Sequence, residues 1–247
     1  MTSYSADLGF QRNIHSIENS PFRTKFEKDV EKMRGNICIG CISDTDPQPI
    51  MVRSKLGLYA VCSIGIIQNA KALSEELLEK GCANFETMSS GNINSGGLIG
   101  ALIAQKPTFV EGIRYAQSKI EGTMSLVIMT EDAIICARDK VGKLPILIGK
   151  RPDGYCFSFE SFAYQKLGYE TCHELKAGEI TKLTKDGYEV LYEGTDEMKI
   201  CTFLWTYYGY PTACYEGVNV EMMRTKNGEI MAENDMKNGK LPDVDYV

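Results

Sequence analysis

Residues 121–163 read EGTMSLVIMTEDAIICARDKVGKLPILIGKRPDGYCFSFESFA. Short apolar runs stand in this stretch at Met124–Met129, Ala133–Arg138, Pro145–Gly149 and Tyr155–Ser158, each separated from the next by turn residues. Runs of this length, bounded in this way, predict β-strands joined by tight connections. Strands so closely spaced pair as an antiparallel meander, because a parallel return needs a crossover of a dozen residues or more.

The texture differs on either side. Downstream, Glu179–Leu183 and Glu189–Tyr192 flank Lys185-Asp186-Gly187 and predict a hairpin. Upstream, apolar residues at Phe22, Phe26, Val30 and Met33 have helical spacing, and Gly35-Asn36 ends that pattern. Ile37–Ile42 reads as a buried strand, Leu56–Ile67 as a strand entering a tight turn at Gly65. Asn69–Lys80 predicts an amphipathic helix closed by Gly81. Ser89–Gly97 is a glycine–serine loop, followed by helices over Leu98–Ala104 and Thr108–Ile120. Residues 1–21 are polar and show no pattern. Helices gathered in one half and a meander in the other indicate an α+β fold.

Beyond 193, residues 194–200 form a charged connector and Cys201–Tyr208 is rich in aromatics. Val218–Asn234 has helical spacing interrupted by Gly228, and Asp243–Val247 resembles the first residues of a strand.

Composition narrows the function classes. The chain has 247 residues, enough for one large domain or two modest ones. Its 27 Lys and Arg against 33 Asp and Glu give a net charge of −6. That balance argues against nucleic acid or an anionic membrane as the main partner. The longest apolar stretch, Gly57–Ile67, is too short to span a bilayer. The N-terminus lacks the basic and apolar regions of a secretory signal, so a cytoplasmic setting with reduced thiols is expected for the nine cysteines.

Generic motifs decide nothing. GxGxxG, GxxxxGK[ST], HExxH and GxSxG are all missing. Cys38-x-x-Cys41 has no second close Cys or His pair to complete a zinc site, and it lies in an apolar run. Buried thiols acting as small hydrophobes are expected there, with no metal and no cofactor. His15 and His173 are far apart in sequence, so a Cys–His pair requires the fold to join them.

The spaced elements of residues 121–163 resemble the glutamine amidotransferase domain of the amidophosphoribosyltransferase family. Gly122–Val127 follows the pattern G-A-x-S-L-V. Ala137-Arg138-Asp139, with Gly142, Pro145 and Gly149, follows A-R-D-x-x-G-x-R-P-L-x-x-G. Ser158-Phe159-Glu160-Ser161 with Ala163 follows A-S-E-S-x-A. Lys176–Glu179 matches P-G-E, and residues 201–213 follow C-x-F-E-x-x-Y-F-A-R-P-D-S. Gly35–Cys41 follows G-N-x-x-I-G-H, and Asn69-Ala70-Lys71 follows N-A-x-x-L. The resemblance covers about residues 22–247.

It implies an N-terminal-nucleophile hydrolase fold, an αββα sandwich of two stacked antiparallel sheets flanked by helices. The amidotransferase-like domain would occupy residues 1–195. Residues 196–247 would be a linker and the start of a phosphoribosyltransferase-like domain. It also implies a chemistry in which an N-terminal Cys attacks the glutamine side-chain amide with its own α-amine as base, releasing ammonia.

The residues of that chemistry do not carry over. Thr2, Ser3 and Tyr4 follow Met1, and the first cysteine is Cys38. In the substrate-binding pattern G-H-x-R, Cys41 stands for the His and Ser43 for the Arg. In the pattern H-N-G-N-L, Ile64 stands for the Asn that supplies an oxyanion donor, while Gly65 is retained. The Asp that holds the substrate amine falls near Ser90, and no acid occurs between Glu86 and Glu111. The strand that presents the nucleophile is expected to be absent or rebuilt.

The expected protein is therefore a catalytically inactive amidotransferase-like domain acting by binding a partner or ligand. The partner would be a phosphoribosyltransferase chain or a paralogue, and a homo-oligomer is compatible with the sequence. The alternative is an active amidohydrolase of changed specificity, using a thiol, or Thr2 if Met1 is removed. Cys201 matches a cluster ligand of some family members. Iron–sulfur ligation needs further thiolates that these residues do not supply.

Overall fold

The structure is a computed structural model that describes residues 1–81, 85 and 91–240. Ser90 and the strand expected at 243–247 lie outside the described residues. The chain opens with β1 (Thr2–Ser5), β2 (Gly9–Arg12), α1 (Phe22–Lys32) and β3 (Ile37–Ile39). Next come β4 (Ile50–Ser54), β5 (Gly57–Ile64), α2 (Ala70–Glu79), α3 (Ser95–Ile103) and α4 (Phe109–Lys119). The meander follows as β6 (Ser125–Met129), β7 (Ile134–Ala137), β8 (Leu147–Arg151) and β9 (Gly154–Ser158). After α5 (Ser161–Gln165) come β10 (Glu170–Glu174), β11 (Ile180–Leu183) and β12 (Tyr188–Tyr192). A five-residue π-helix (Leu204–Tyr208), β13 (Cys214–Tyr215), β14 (Val218–Asn219) and α6 (Val220–Lys237) complete it.

Two compact units divide these elements. The first comprises residues 1–146 and 175–199, the second residues 147–174 and 200–247. The first unit centres on an antiparallel sheet of order β12-β11-β7-β6-β5-β4. Its strands alternate as the pleat requires. Tyr59, Val61, Leu126, Ile128, Ile135, Ala137 and Ile180 face one apolar cluster shared with Leu73 and Leu77 of α2, Leu98 and Leu102 of α3 and Ile113 of α4. The intervening Ala60, Cys62, Val127, Met129 and Cys136 are buried as well, so both faces of the sheet are covered. Each such Leu or Ile side chain contributes roughly 1.5–3 kcal/mol by leaving water.

Helices α3 and α4 meet closely at Gly112, where a Cβ would lie 2.5 Å from the Ile103 carbonyl oxygen. Asn94 caps α3 by accepting from the Gly96 and Gly97 amides, and Thr108 caps α4 by accepting from the Glu111 amide.

The other face of the central sheet receives β3, which packs on β6. β3 belongs to a three-stranded antiparallel sheet of order β2-β1-β3. This corrects the reading of residues 1–21 as patternless. Thr2-Ser3-Tyr4-Ser5 forms a strand paired with β2 and with β3, Thr2 opposite Ile39 and Ser3 opposite Cys38. The sequence hid it because both inner residues are hydroxylic rather than apolar, yet Thr2 and Ser3 are buried.

The motif Arg138-Asp139 is structural. Arg138 is fully buried, and its guanidinium donates from Nε to Leu144 O at 3.0 Å, from Nη1 to Leu175 O at 2.5 Å and from Nη2 to Gly142 O at 2.8 Å. The Asp139 carboxylate accepts from the Val141 and Lys143 amides at 3.0 and 2.9 Å. Together they shape the turn after β7.

In the second unit, β10-β8-β9 form an antiparallel sheet. Tyr164 of α5 packs beside Gly149. The Ser161 hydroxyl accepts from the Cys214 amide, and the Tyr215 hydroxyl donates to the Glu160 carboxylate. Trp205 donates to Val218 O at 3.0 Å, and Arg224 donates to Trp205 O and Gly209 O. α6 runs through Gly228 without a break, contrary to the interruption expected there. Glycine in an exposed helix costs only about 1 kcal/mol, which neighbouring residues absorb.

Candidate functional site

Of the sequence-predicted site positions among the described residues, Thr2 lies on β1, Cys41 and Ser43 line a cavity beside Met1, and Ile64 and Gly65 stand at the end of β5, all in the first unit. Thr2 is fully buried on β1, and its hydroxyl, like that of Ser3, has no hydrogen-bond partner in the structure. The Met1 amine donates to Asn13 O at 2.8 Å. Beside Met1 lies a cavity of about 60 Å³. Its wall includes Cys41 and Ser43 on the segment after β3, with His15, Phe26 of α1, Asp46 and Gln48.

Ser43 faces inward along its own loop. Its hydroxyl accepts from the Thr45 and Asp46 amides at 3.3 and 3.1 Å. It therefore spends its polarity on a local turn. The segment carrying it is tied down at several points. Arg12 Nε donates to Pro49 O at 2.6 Å, Asn94 Nδ2 to Pro47 O at 3.3 Å, and the Ser95 amide to Asp46 Oδ2 at 3.1 Å. Gln48 grips β5, donating to Ser63 O at 3.1 Å and accepting from the Ser63 amide at 2.7 Å. Asp46, Gln48 and Asn94 are buried polar residues that sequence reasoning missed. The only sequence signal was polar side chains crowded among prolines at residues 44–49.

Ile64 ends β5, one residue beyond that grip, and Gly65 follows with φ 143°. A Cβ at Gly65 would sit 2.1 Å from the Thr123 carbonyl oxygen, so the glycine is retained for backbone packing as well as conformation. Ile66 is 69% exposed. Neither Ile64 nor Ile66 offers a polar side chain where an oxyanion donor would stand.

Cys38 and Cys41 behave differently, which corrects the expectation of two buried thiols. Cys38 is exposed, whereas Cys41 is half-buried and turned into the cavity. The Cys41 sulfur donates to the Ile42 carbonyl oxygen at 3.5 Å. Polar interaction with the Cys62 thiol, opposed by burial, holds the Cys41 thiol below the usual thiol range, while the same interaction and burial push Cys62 up. His15 and Cys41, distant in sequence, line the same cavity; His15 Nε2 contacts Asp29 Oδ2 at 2.5 Å and its ring stands edge-on to Phe26.

A second, open groove of about 290 Å³ lies between α4, Lys140, the turn before β11 at Ala177-Gly178 and the segment that follows β12. Its cations are engaged internally: Arg114 stacks on Tyr192 at 4.1 Å, and Lys140 donates to Ile120 O at 2.8 Å. Among the described residues, no group of three or more His, Cys, Asp or Glu side chains is placed to hold a metal ion. None of the described helices is long and apolar enough to cross a membrane.

The family model for a glutamine amidotransferase domain matches residues 33–165, more than half of the chain. The chain belongs to that family. The amidotransferase domain is 27% identical to the amidophosphoribosyltransferase of Archaeoglobus fulgidus over 216 residues, which is 83% of this chain and 47% of the relative. It is 30% identical to that of Staphylococcus epidermidis over 223 residues, 89% of this chain and 41% of the relative. Among solved structures it resembles the glutamine phosphoribosylpyrophosphate amidotransferase of B. subtilis complexed with ADP and GMP. The TM-score is 0.71 at 25% identity, covering 85% of this chain and 47% of that one. It also resembles an allosteric regulatory enzyme of purine biosynthesis, with TM-score 0.66 at 26% identity, covering 76% and 40%. The N-terminal-nucleophile hydrolase fold implied by the sequence resemblance is thus the fold of this chain. The domain spans about half the length of the curated relatives it matches.

Proposed function

We propose that this amidophosphoribosyltransferase-like domain is catalytically silent toward glutamine and acts by binding. The observation that carries this reading is the small cavity where the substrate pocket should be. Cys41 stands for the His and Ser43 for the Arg of the family pattern, and Ile64, nearby on β5, stands for the Asn. Ligand pockets commonly hold roughly 300–1,000 Å³. A cavity of about 60 Å³ beside Met1 is far smaller. Without the Arg, a substrate carboxylate entering it would be left unpaired, at a cost of a few kcal/mol. Loss of one oxyanion donor alone lowers such rates by about 10²–10³.

The partner is a phosphoribosyltransferase domain, joined to this one or carried on a separate chain in the cytoplasm. The domain boundary lies near 195–196. Exposed apolar side chains of the second unit support a docking role: Phe203, Tyr207 and Tyr208, and on α6 Met222, Met231 and Met236. The test is ammonia release from glutamine by the purified protein. Background rates support the proposal, and saturable turnover refutes it.

A second reading, an active amidohydrolase of changed specificity, draws on Cys41 and His15 sharing one cavity, and on the buried, unpartnered Thr2 hydroxyl. Covalent labelling of Thr2 or Cys41 by a glutamine-analogue electrophile, at a rate that saturates with its concentration, separates it from the first.

A further inference from the structure

The open groove of about 290 Å³ lies wholly in the first unit and shares no lining residue with the cavity beside Met1. Arg114, Gln117 and Ser118 recur at helical spacing, so α4 presents them to the groove together, while its Ile113 and Ala116 turn to the core. Gln117 is buried and donates to the Arg138 carbonyl oxygen at 2.9 Å, which ties this part of α4 to the turn that carries Lys140. The far wall is pinned backbone. The Gly178 amide donates to Asp139 O at 2.9 Å and the Thr195 amide to Ala177 O at 2.9 Å. A Cβ at Gly194 would lie 2.6 Å from the Ala177 carbonyl oxygen, so the glycine lets these two segments cross closely. The groove is thus formed before anything enters it, and no ordering cost falls on binding.

Arg114 and Lys140 both border this groove, and neither is spent by its internal contact. Tyr192 occupies one flat face of the Arg114 guanidinium, and the N–H donors lie in the plane, at its edges. Among the described residues, none of those N–H groups donates a hydrogen bond. Lys140 gives one of its three N–H groups to Ile120 O, which anchors the ammonium at the groove. Both side chains belong to exposed residues. Among the described residues Glu193 is the one carboxylate in the lining, so the groove is locally positive in a chain whose net charge is −6. We propose that this groove binds a small organic oxyanion, the phosphate or carboxylate of a metabolite. Arg114 supplies the planar pair of donors and Lys140 a compact positive charge. Glu193 opposes the anion and selects for ligands of low charge. The volume stands at the lower end of the roughly 300–1,000 Å³ common for small-molecule pockets, which favours a compact ligand. The proposal holds whether or not the domain hydrolyses glutamine.

The experiment is isothermal titration calorimetry of the full chain at low ionic strength, with inorganic phosphate, glycerol phosphate and succinate as titrants. At least one should bind saturably at a single site, and added salt should weaken it. Arg114→Ala and Lys140→Gln should each weaken binding by roughly tenfold or more, the loss expected for a hydrogen bond to a charged group. Arg114→Lys should recover part of the affinity, because the charge returns without the fork. Glu193→Gln should tighten binding. Amide NMR shifts during the titration should concentrate at Gly178, Gly194 and Thr195. Binding of glycerol phosphate without succinate identifies a phosphate ligand, and the reverse a carboxylate. Far-UV circular dichroism checks that each variant is folded; if Arg114→Ala unfolds, Arg114→Lys is titrated in its place. Four results overturn the proposal: no saturable binding of any titrant, affinity unchanged in Arg114→Ala and Lys140→Gln, weaker binding in Glu193→Gln, or shifts confined to the Met1 cavity.

Discussion

Gln48 holds both backbone groups of Ser63, donating from Nε2 to its carbonyl oxygen at 3.1 Å and accepting at Oε1 from its amide at 2.7 Å. A side-chain amide here does the work of one more strand neighbour at the end of β5. It fixes the segment between β3 and β4 against the central sheet, and with it the floor of the Met1 cavity. Gln48→Leu keeps the volume and removes both bonds. Each net bond contributes about 0.5–1.5 kcal/mol, and the stranded Ser63 groups add desolvation cost. We expect a loss of about 1–3 kcal/mol in denaturant unfolding, together with faster hydrogen exchange at the Ser63 amide. Unchanged exchange at that amide would contradict the clamp.

Arg138 is the second place where a polar side chain organises backbone. Its guanidinium donates to the carbonyls of Leu144, Gly142 and Leu175 while fully buried. Arg138→Met leaves those carbonyls without it, at about 1–3 kcal/mol for each one unsatisfied. The expected outcome is a large fall in thermal midpoint, or failure to accumulate folded protein. Arg138→Lys should recover only part, because an ammonium cannot reproduce the planar fork.

These two residues show how much the sequence revealed. The strands of 121–163, the helices upstream and the hairpin around Asp186-Gly187 were legible because apolar periodicity reports burial directly. Arg138-Asp139 was legible as a motif, and its reason, three backbone carbonyls, became visible only in three dimensions. Strand β1 was not legible, since Thr2 and Ser3 are buried without being apolar. Gln48 and Asp46 were not legible either, because side chains that satisfy distant backbone groups look like any polar loop residue. Of the candidate site positions, Cys41 and Ser43 come together at one cavity and Ile64 lies beside the Gln48 grip.

In the second unit, burial raises the pKa of Glu160, and the hydrogen bond from Tyr215 partly opposes that shift. The folded state therefore favours the protonated acid. Its contribution is complete below the ordinary carboxylate range and is lost as pH rises through the folded value. Tyr215→Phe removes the bond that favours the carboxylate, so the folded pKa of Glu160 should climb further. A titration of Glu160 by carbon-detected NMR should show the midpoint above that of exposed glutamates, and higher again in Tyr215→Phe. A midpoint that falls in the variant would contradict the assignment.

Gly65 tests whether retention of that residue is structural. A Cβ there would meet the Thr123 carbonyl, and the backbone is in the left-handed half of conformational space. Gly65→Ala should cost about 1–3 kcal/mol from backbone strain alone. A neutral effect on unfolding would show that the turn relaxes freely.

The most direct measurement of the central claim is glutamine-dependent ammonia release by the purified, folded chain, read with and without a phosphoribosyltransferase domain added. The account predicts background release in both, over the whole range of glutamine concentration, and no protection of the protein against unfolding by glutamine. Saturable release that is abolished by substituting Cys41 or Thr2 would contradict it.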